Sequence, residues 1–527
     1  MRRNSLAILI GMLGLTHCVL GDQFIFQQVP PSVVDNINSN AWSYYGVASG
    51  GTSFFCVGSN SVASLAVATN ALTTGGYLTN RSAWLAKNIP DFSGNLNGVA
   101  YGSKAGIFVA AGATNNTFAY INGVWTNHLR INLGIGVDAM GVAYNPASDI
   151  FSAVTASYQA AWQPASNPTN WNIANDTNVA FVESFRSVTS MGSNNLALCG
   201  IRGDVRISSN GGQSWNTNRI FDFSQPDLLA IASDGSNSLV CAGTNDLVLV
   251  STNAGNTWAT NIISGISSKT TFYAAAYTGP GDNQFILAGS GGNIFIASNN
   301  ISTNVWVWAQ VASGLTTNIL QGAAVATSGP FQGVTMLVGD AGTLLVGGTL
   351  PPAPTNTIGI ITNILNGDPG FNQVLGTTNV ADIIVTNPQH PAASTTIDWY
   401  DAAAGGNLLA ASSLVYSPTN SQLGTYTYWA AERDIRTGLS STTRTAFTLV
   451  IAPPPPPLLV WITQGAPATN LVFSWFGTFW FQTATNLTPP VNWINEITNA
   501  TPGVTNSLIV PTASLPMQFF RLYLPSN

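Results

Sequence analysis

Short apolar runs separated by stretches of Gly, Asn, Ser and Thr recur along the first two thirds of the chain. Phe54 to Val57, Ile107 to Ala110, Leu196 to Cys199, Leu239 to Ala242, Phe285 to Ala288 and Met336 to Val338 are such runs. No long stretch carries the 3.6-residue apolar period of an amphipathic helix, so the pattern predicts many short strands joined by polar turns. Ahead of the runs stand small-residue triplets: Gly46-Val47-Ala48, Gly98-Val99-Ala100 and Gly141-Val142-Ala143, with looser copies at Ser187-Val188-Thr189, Ala230-Ile231-Ala232, Ala274-Ala275-Ala276 and Ala323-Ala324-Val325. Tryptophans stand at 42, 84, 125, 171, 215, 258 and 308, at spacings of 42, 41, 46, 44, 43 and 50 residues. That is the length of four short antiparallel strands with their turns.

Both landmarks number seven and predict a seven-bladed β-propeller over residues 22–350. The small triplet is the inner strand of each blade, because bulky side chains from seven directions would collide on a narrow axis. The last unit ends near Leu350 without a Trp-bearing outer strand, and Phe24 to Val29 have no inner strand ahead of them. Placing that N-terminal segment in the last blade closes the ring and leaves no open sheet edge.

In two units the turn before the Trp reads Ser208-Ser209-Asn210-Gly211-Gly212-Gln213-Ser214-Trp215 and Ser251-Thr252-Asn253-Ala254-Gly255-Asn256-Thr257-Trp258. These resemble the Asp-box, or BNR repeat, of sialidase-like and photosystem-assembly-factor-like propellers, with Asn where that family usually has Asp. The resemblance implies a structural role on the propeller rim for Ser208, Asn210, Gly212, Trp215, Ser251, Asn253, Gly255 and Trp258. Ser and Asn bond nearby backbone and Gly takes positive φ.

Pro351, Pro352 and Pro354 mark a linker over 351–357, and Pro453 to Pro457 mark a stiff polyproline linker. The 358–452 segment between them has the size of one immunoglobulin-like sandwich. Ile397 to Asp401 presents a core Trp, Gly424 to Ala430 alternates like a strand bearing a tyrosine corner, and Ser440, Ser441 and Arg444 follow. Together they resemble the cysteine-free Ig-like domains of large bacterial surface proteins, which act as spacers or adhesion modules. Residues 458–527, with Phe473-Ser474-Trp475, Phe481 to Leu487, Trp493 and Phe519 to Leu522, resemble a short C-terminal β module of secreted bacterial proteins. The fold class is therefore all-β: a propeller followed by two β-sandwich modules.

Charge narrows the partners. Charged residues are 7 % of the chain, the net charge is −6, and the 15 Lys and Arg include Arg2 and Arg3. Neither nucleic acid nor an anionic lipid surface is an expected partner. Arg2 and Arg3, the apolar run Leu6 to Leu15, and small residues at Val19 and Gly21 read as a secretory signal peptide over 1–21, cleaved before Asp22. His17 argues against reading Leu15 to Cys18 as an acylation box. No stretch is long enough for a transmembrane segment. The protein is placed outside the cell or on its surface.

Export leaves Cys56, Cys199 and Cys241, an odd number in apolar strands, read as buried thiols. Beyond the leader only His128 and His390 remain, in different domains, which argues against Ser/His/Asp or Cys/His chemistry. No metal-ligand spacing or calcium loop is present, Asp234-Gly235 reads as a turn, and no cofactor is expected. The propeller holds arginines 81, 130, 186, 202, 206 and 219 and lacks the early arginine motif of sialidases. Arg186 is the candidate ligand-binding residue. It directly precedes an inner-strand triplet, where other units have Tyr45, Asn97, Met140 and Leu229, so its charge stands near the tunnel mouth. A salt bridge to Glu183 is the structural alternative. Arg202, Asp204 and Arg206 alternate along a hairpin and are expected on a solvated face.

The expected function is that of an exported, non-catalytic binding or scaffold protein recognising a polysaccharide or another surface polymer. A glycoside-processing enzyme of sialidase-like architecture is the alternative, for which a close carboxylate pair in the central pocket would be the mark. An assembly factor similar to the photosystem propellers is a third reading. The oligomeric state is left open.

Overall fold

The computed structural model describes residues 24–29, 42–67, 78, 83–89, 91–126, 129–130, 137–166, 170–176, 184–217, 226–261, 263, 269–300, 305–311, 314–356, 360–364, 383–385, 395–420, 422–452, 459–462, 470–476, 479–488, 491–498, 505–511 and 519–523. The leader, His128, His390, Glu183, Arg81, Arg219 and the polyproline run lie outside them. Contacts divide the chain into two units, Met1–Pro351 with Arg433–Ser440, and Pro352–Glu432 with Ser441–Asn527.

The first unit is a seven-bladed β-propeller. Its inner strands, one per blade, are Tyr44–Ser49, Leu96–Gly102, Ala139–Asn145, Phe185–Ser190, Leu228–Ser233, Phe272–Tyr277 and Leu320–Val325. Each begins an antiparallel meander whose second strand in blade 1 is Ser53–Gly58, in blade 4 Leu196–Gly200 and in blade 5 Leu239–Gly243. Each inner strand packs on the next, and that of blade 7 packs on that of blade 1. The N-terminal strand Phe24–Gln28 pairs antiparallel with Leu344–Thr349, from Phe24 opposite Thr349 to Gln28 opposite Leu345, and so supplies the outer strand of blade 7.

One apolar core lies at each of the seven blade-to-blade contacts. Phe54 and Cys56 of blade 1 meet Met336 and Val338 of blade 7, while Phe55 and Val57 of the same strand meet Phe108 and Ala110 of blade 2. The other five contacts repeat the arrangement. A second strand is thus covered on both faces, which is why it reads as an unbroken apolar run instead of alternating. Cys199 and Cys241 share the core between blades 4 and 5, and burial, then the neighbouring Cys199, pushes the Cys241 thiol well above its ordinary value.

Two sequence expectations change. Trp42 lies two residues ahead of the inner strand of blade 1, packed against the blade 1–7 core, whereas Trp84, Trp125, Trp215 and Trp308 lie on outer strands. Its agreement with the repeat count is coincidental, and the small triplets carry the count. At the glycines of this layer a lateral constraint joins the axial one. A Cβ on Gly46 would stand 3.0 Å from the Gly98 Cα, one on Gly98 3.1 Å from the Gly141 Cα, and one on Gly322 3.2 Å from the Gly46 Cα. Neighbouring inner strands touch backbone to backbone at this layer.

The two Trp-preceding turns share one hydrogen-bond pattern. Ser208 Oγ accepts from Gly212 N at 2.9 Å and Asn210 Oδ1 accepts from Ser214 N at 3.0 Å. In the second turn Ser251 Oγ accepts from Gly255 N at 2.9 Å and Asn253 Oδ1 from Thr257 N at 2.8 Å. Gly212 has φ 87° and Gly255 φ 84°. Trp215 is buried, and Trp258 Nε1 donates to Gly255 O at 3.0 Å. A Cβ on Gly212 would stand 2.1 Å from Ser152 Oγ of the preceding blade, so the turn is also an inter-blade contact.

In the second unit, the strands Ile360–Ile364, Thr445–Ala452, Gly424–Asp434, Thr395–Tyr400 and Leu408–Ala410 form one sheet, and Ile383–Ile384 pairs with Val415–Tyr416. Trp399 and Phe447 centre their core, Tyr426 Oη donates to Gln422 O at 3.0 Å, and the Arg444 guanidinium lies 3.3 Å from the Tyr400 ring centroid. Two three-stranded sheets follow, Leu459–Ile462, Asn470–Phe476, Thr505–Pro511 and Ile494–Ile497, Trp480–Ala484, Phe519–Tyr523, around Phe473, Trp475 and Phe481.

Gly212→Ala combines positive-φ strain with the Ser152 clash and is expected to cost about 2–4 kcal/mol. Asn210→Ala removes the turn's hydrogen bonds and is expected to cost about 1 kcal/mol. Urea unfolding followed by tryptophan fluorescence checks both values, and equal costs would contradict the docked role of Gly212.

Candidate functional site

Each inner strand departs from regular pairing at the same place. In blade 1 Tyr44 pairs with Gly58 and Gly46 with Val57, leaving Tyr45 out of the ladder. The same shift leaves out Asn97, Met140, Arg186, Leu229, Tyr273 and Gln321 in blades 2 to 7. A bulge of this kind re-aims the unpaired residue. Here the residue before it is buried between blades and the extra one faces the axis.

Glycine permits the bulge in six blades. Gly58, Gly112, Gly200, Gly243, Gly289 and Gly339 end their second strands where a carbonyl of the inner-strand approach takes the place of a Cβ. For Gly243 that Cβ would be 1.8 Å from Asp227 O, and for Gly58 1.9 Å from Ser43 O. The same carbonyls accept the next residue's N–H, as Ser59 N to Ser43 O at 2.8 Å and Thr244 N to Asp227 O at 3.0 Å. Blade 3 has Thr155 opposite Ala139 instead.

The rim is tied across blades. Asn60 N donates to Asn95 Oδ1 at 3.3 Å, Thr114 N to Asp138 Oδ1 at 2.9 Å and Arg202 N to Asp227 Oδ1 at 3.0 Å. The three donors have φ of 51°, 54° and 56°, a conformation the neighbouring blade's carboxyl or amide oxygen helps to hold.

The seven bulged residues and Asn95 line a cavity of about 460 Å³ at the mouth of the central tunnel. This is within the ~300–1,000 Å³ range of small-molecule sites. Below it the tunnel continues as about 140 Å³ walled by the bulged residues and the small-residue layers beneath, among them Gly46, Gly98, Gly141, Ala274 and Gly322.

Around the mouth the order is Tyr45, Asn97, Met140, Arg186, Leu229, Tyr273, Gln321. Met140 and Leu229 therefore flank Arg186, and Tyr45 and Tyr273 flank Gln321 on the far side of the ring. Among the described residues Arg186 is the sole charged side chain of the lining, and its Nε is buried with no hydrogen-bond partner. Gln321 Nε2 donates to Asp340 Oδ1 at 3.3 Å, and Asn97 Nδ2 to Ala139 O at 2.9 Å. Burial, then the charge of Asp340, raises the Tyr45 hydroxyl above its ordinary value, with the Ser43 and Ser59 hydroxyls acting in the opposite sense. Tyr45 thus keeps its O–H at neutral pH and can donate a hydrogen bond.

No aspartate, glutamate or histidine lines the cavity among the described residues. No group of three His, Cys, Asp or Glu that could hold a metal ion occurs among the described residues.

The expectation of a solvated Arg202–Arg206 face is corrected. Arg202 is exposed, but Asp204 is 0 % and Arg206 2 % exposed, with Arg206 Nε donating to Asp204 Oδ2 at 3.1 Å and its guanidinium 4.8 Å from the Phe185 ring centroid. The strand pairs on both sides and is covered by a neighbouring blade, which simple alternation does not reveal. The alternative partner of Arg186, Glu183, lies outside the described residues.

Sequence reasoning singled out Arg186 and passed over Asn95, Tyr273 and Gln321. The signal for Tyr273 was present, since it immediately precedes Ala274-Ala275-Ala276; Gln321 stands two residues before Ala323-Ala324-Val325, a triplet one residue out of phase, because Gly322 pairs with Val338 where Gly46 pairs with Val57 in blade 1. Arg186 attracted notice through its charge.

No family model matches the chain, and no curated protein matches it. Three of the solved structures to which part of this chain is similar are as follows. The WD40 β-propeller domain of Doa1 is 10 % identical at TM-score 0.45, over 61 % of this chain and 96 % of that one. The RRP9 WD40 repeats are 7 % identical at TM-score 0.46, over 62 % and 97 %. YCF48 from Cyanidioschyzon merolae is 13 % identical at TM-score 0.45, over 61 % and 98 %.

The two blade 4 arginines are expected to separate in stability measurements. Arg206→Ala leaves Asp204 buried without its cation and should cost about 3–5 kcal/mol. Arg186→Ala should stay within about 1 kcal/mol of the parent, because its Nε gains nothing from the fold. Parallel denaturant titrations check the difference, and a large loss in the Arg186 variant would make it a structural residue.

Proposed function

We propose that this chain is an exported, non-catalytic binding protein whose propeller holds a polysaccharide or another extracellular polymer at the tunnel mouth. The observation that carries the reading is the ring of seven bulges, which turns one side chain per blade toward a single cavity. Two tyrosines offer faces for sugar-ring stacking, and Asn95, Asn97 and Gln321 offer amides for hydroxyls. The site rests on rigid strands, so little ordering accompanies binding.

The rest of the chain fits an extracellular scaffold. Residues 1–21 direct export, the turns ending at Trp215 and Trp258 are Asp-box-like elements of the rim, and the segments 358–452 and 458–527 are an Ig-like spacer and a short terminal module. The weak net charge leaves no footprint for nucleic acid.

Purified mature protein is expected to bind at least one member of a polysaccharide panel saturably, with no sugar released. Tyr273→Ala or Tyr45→Ala should weaken that binding about ten- to hundredfold, or roughly 1.4–2.8 kcal/mol. Released sugar would replace the reading with an enzymatic one. Binding untouched by both substitutions would move the site away from the mouth.

A further inference from the structure

We infer that the tunnel mouth reads the end of its polymer and that the residue it reads is a hexuronic acid, its carboxylate on Arg186 and its hydroxyl-bearing ring against Tyr45, Tyr273 and Gln321. This rests on the proposal that the mouth is a saccharide site and specifies its ligand.

The anion follows from Arg186. Among the described residues its guanidinium is the sole charge lining the cavity, no carboxylate of that lining faces it, and the buried Nε has no hydrogen-bond partner. That Nε is closed off from the cavity, while the half-buried side chain as a whole lines it, so the guanidinium nitrogens a ligand would meet are the terminal pair. The planar fork of a guanidinium matches the two oxygens of a carboxylate, and Met140 and Leu229 on either side lower the local dielectric in which that pair would form. A single cation suits a monoanion, whereas a phosphate ester would bring about −1.5 to −2 charge.

The hydroxylated ring follows from the opposite wall. Tyr45, Gln321 and Tyr273 come from consecutive blades 1, 7 and 6, facing Arg186 of blade 4 across the axis. Aromatic faces beside an amide suit a pyranose, and the wall carries no second cation for a polyanion.

End-on reading follows from the throat. At the Gly46, Gly98 and Gly141 layer the inner strands approach within Cβ-excluding distance, and the space contracts from about 460 to about 140 Å³. The contraction leaves the roomier volume at the mouth, where a chain end can seat without passing on through the tunnel.

The test uses the whole mature protein and calorimetric titration with galacturonic acid, glucuronic acid, glucose, glucose 6-sulfate, acetate and N-acetyl-leucine. At least one hexuronic acid is expected to bind at one site, tenfold or more tighter than glucose and acetate. Arg186→Gln should remove that preference, bringing the acid to within about threefold of glucose measured on the same variant, and Arg186→Lys should restore part of it. With oligogalacturonates of graded length, binding sites per unit mass should track the number of chain ends.

Equal binding of acid and neutral sugars, or a preference that survives Arg186→Gln, overturns the inference while leaving the saccharide site standing. Tighter binding of N-acetyl-leucine would assign the mouth to a peptide carboxyl terminus, and tighter binding of the sulfated sugar would assign it to a sulfate ester. Binding that scales with mass at every chain length overturns end-on reading. Absence of binding by every sugar, in a protein whose unfolding curve is that of the folded parent, overturns both this inference and the saccharide site.

Discussion

Blade-against-blade packing is the constraint from which the propeller's other features descend. Seven sheets converge on one axis, and at the glycine-rich layer their inner strands lie so close that a methyl group on Gly46 would press on the Gly98 backbone. Each sheet must therefore bury both of its faces, and the seven inter-blade cores do so with residues such as Phe54 on one side of a strand and Phe55 on the other. Closure by Phe24–Gln28 completes the arrangement by giving blade 7 the outer strand its own segment lacks.

A regular strand entering so tight an axis would keep strict alternation, and a side chain at its start would point into one of the neighbouring cores. The bulge breaks that alternation by one residue. Tyr44, Phe185 and Phe272 stay in the inter-blade cores while Tyr45, Arg186 and Tyr273 turn to the mouth. The glycines opposite, such as Gly243, leave room for the carbonyl that the bulge displaces. Packing and recognition thus use adjacent residues of one strand end, and the sevenfold repeat of a structural device yields seven chemically different side chains around one cavity.

Blade 4 shows how environment separates two residues of one type. Arg206 is enclosed with Asp204 and lies over Phe185, so its charge is matched inside the protein. Arg186 follows Phe185 directly, yet faces a cavity whose other members are neutral. The first arginine stabilises the blade, and the second lines an opening with an Nε that has no hydrogen-bond partner among the described residues.

Local pattern was enough to determine the all-β class, the seven inner strands, the missing outer strand of blade 7 and the hairpin turns around Asn210 and Asn253. Each of these depends on short-range chemistry: small residues at a crowded axis, apolar runs buried on both faces, Gly at positive φ. Tertiary structure alone decided that Trp42 stands outside the outer-strand series, that Asp204 and Arg206 are covered, and that Asn95, Tyr273 and Gln321 share a cavity with Arg186. The reason is geometric. A one-residue bulge leaves almost no trace in composition or period, and which residues face one another across an axis depends on the closure of the whole ring, a property that no single blade's sequence contains.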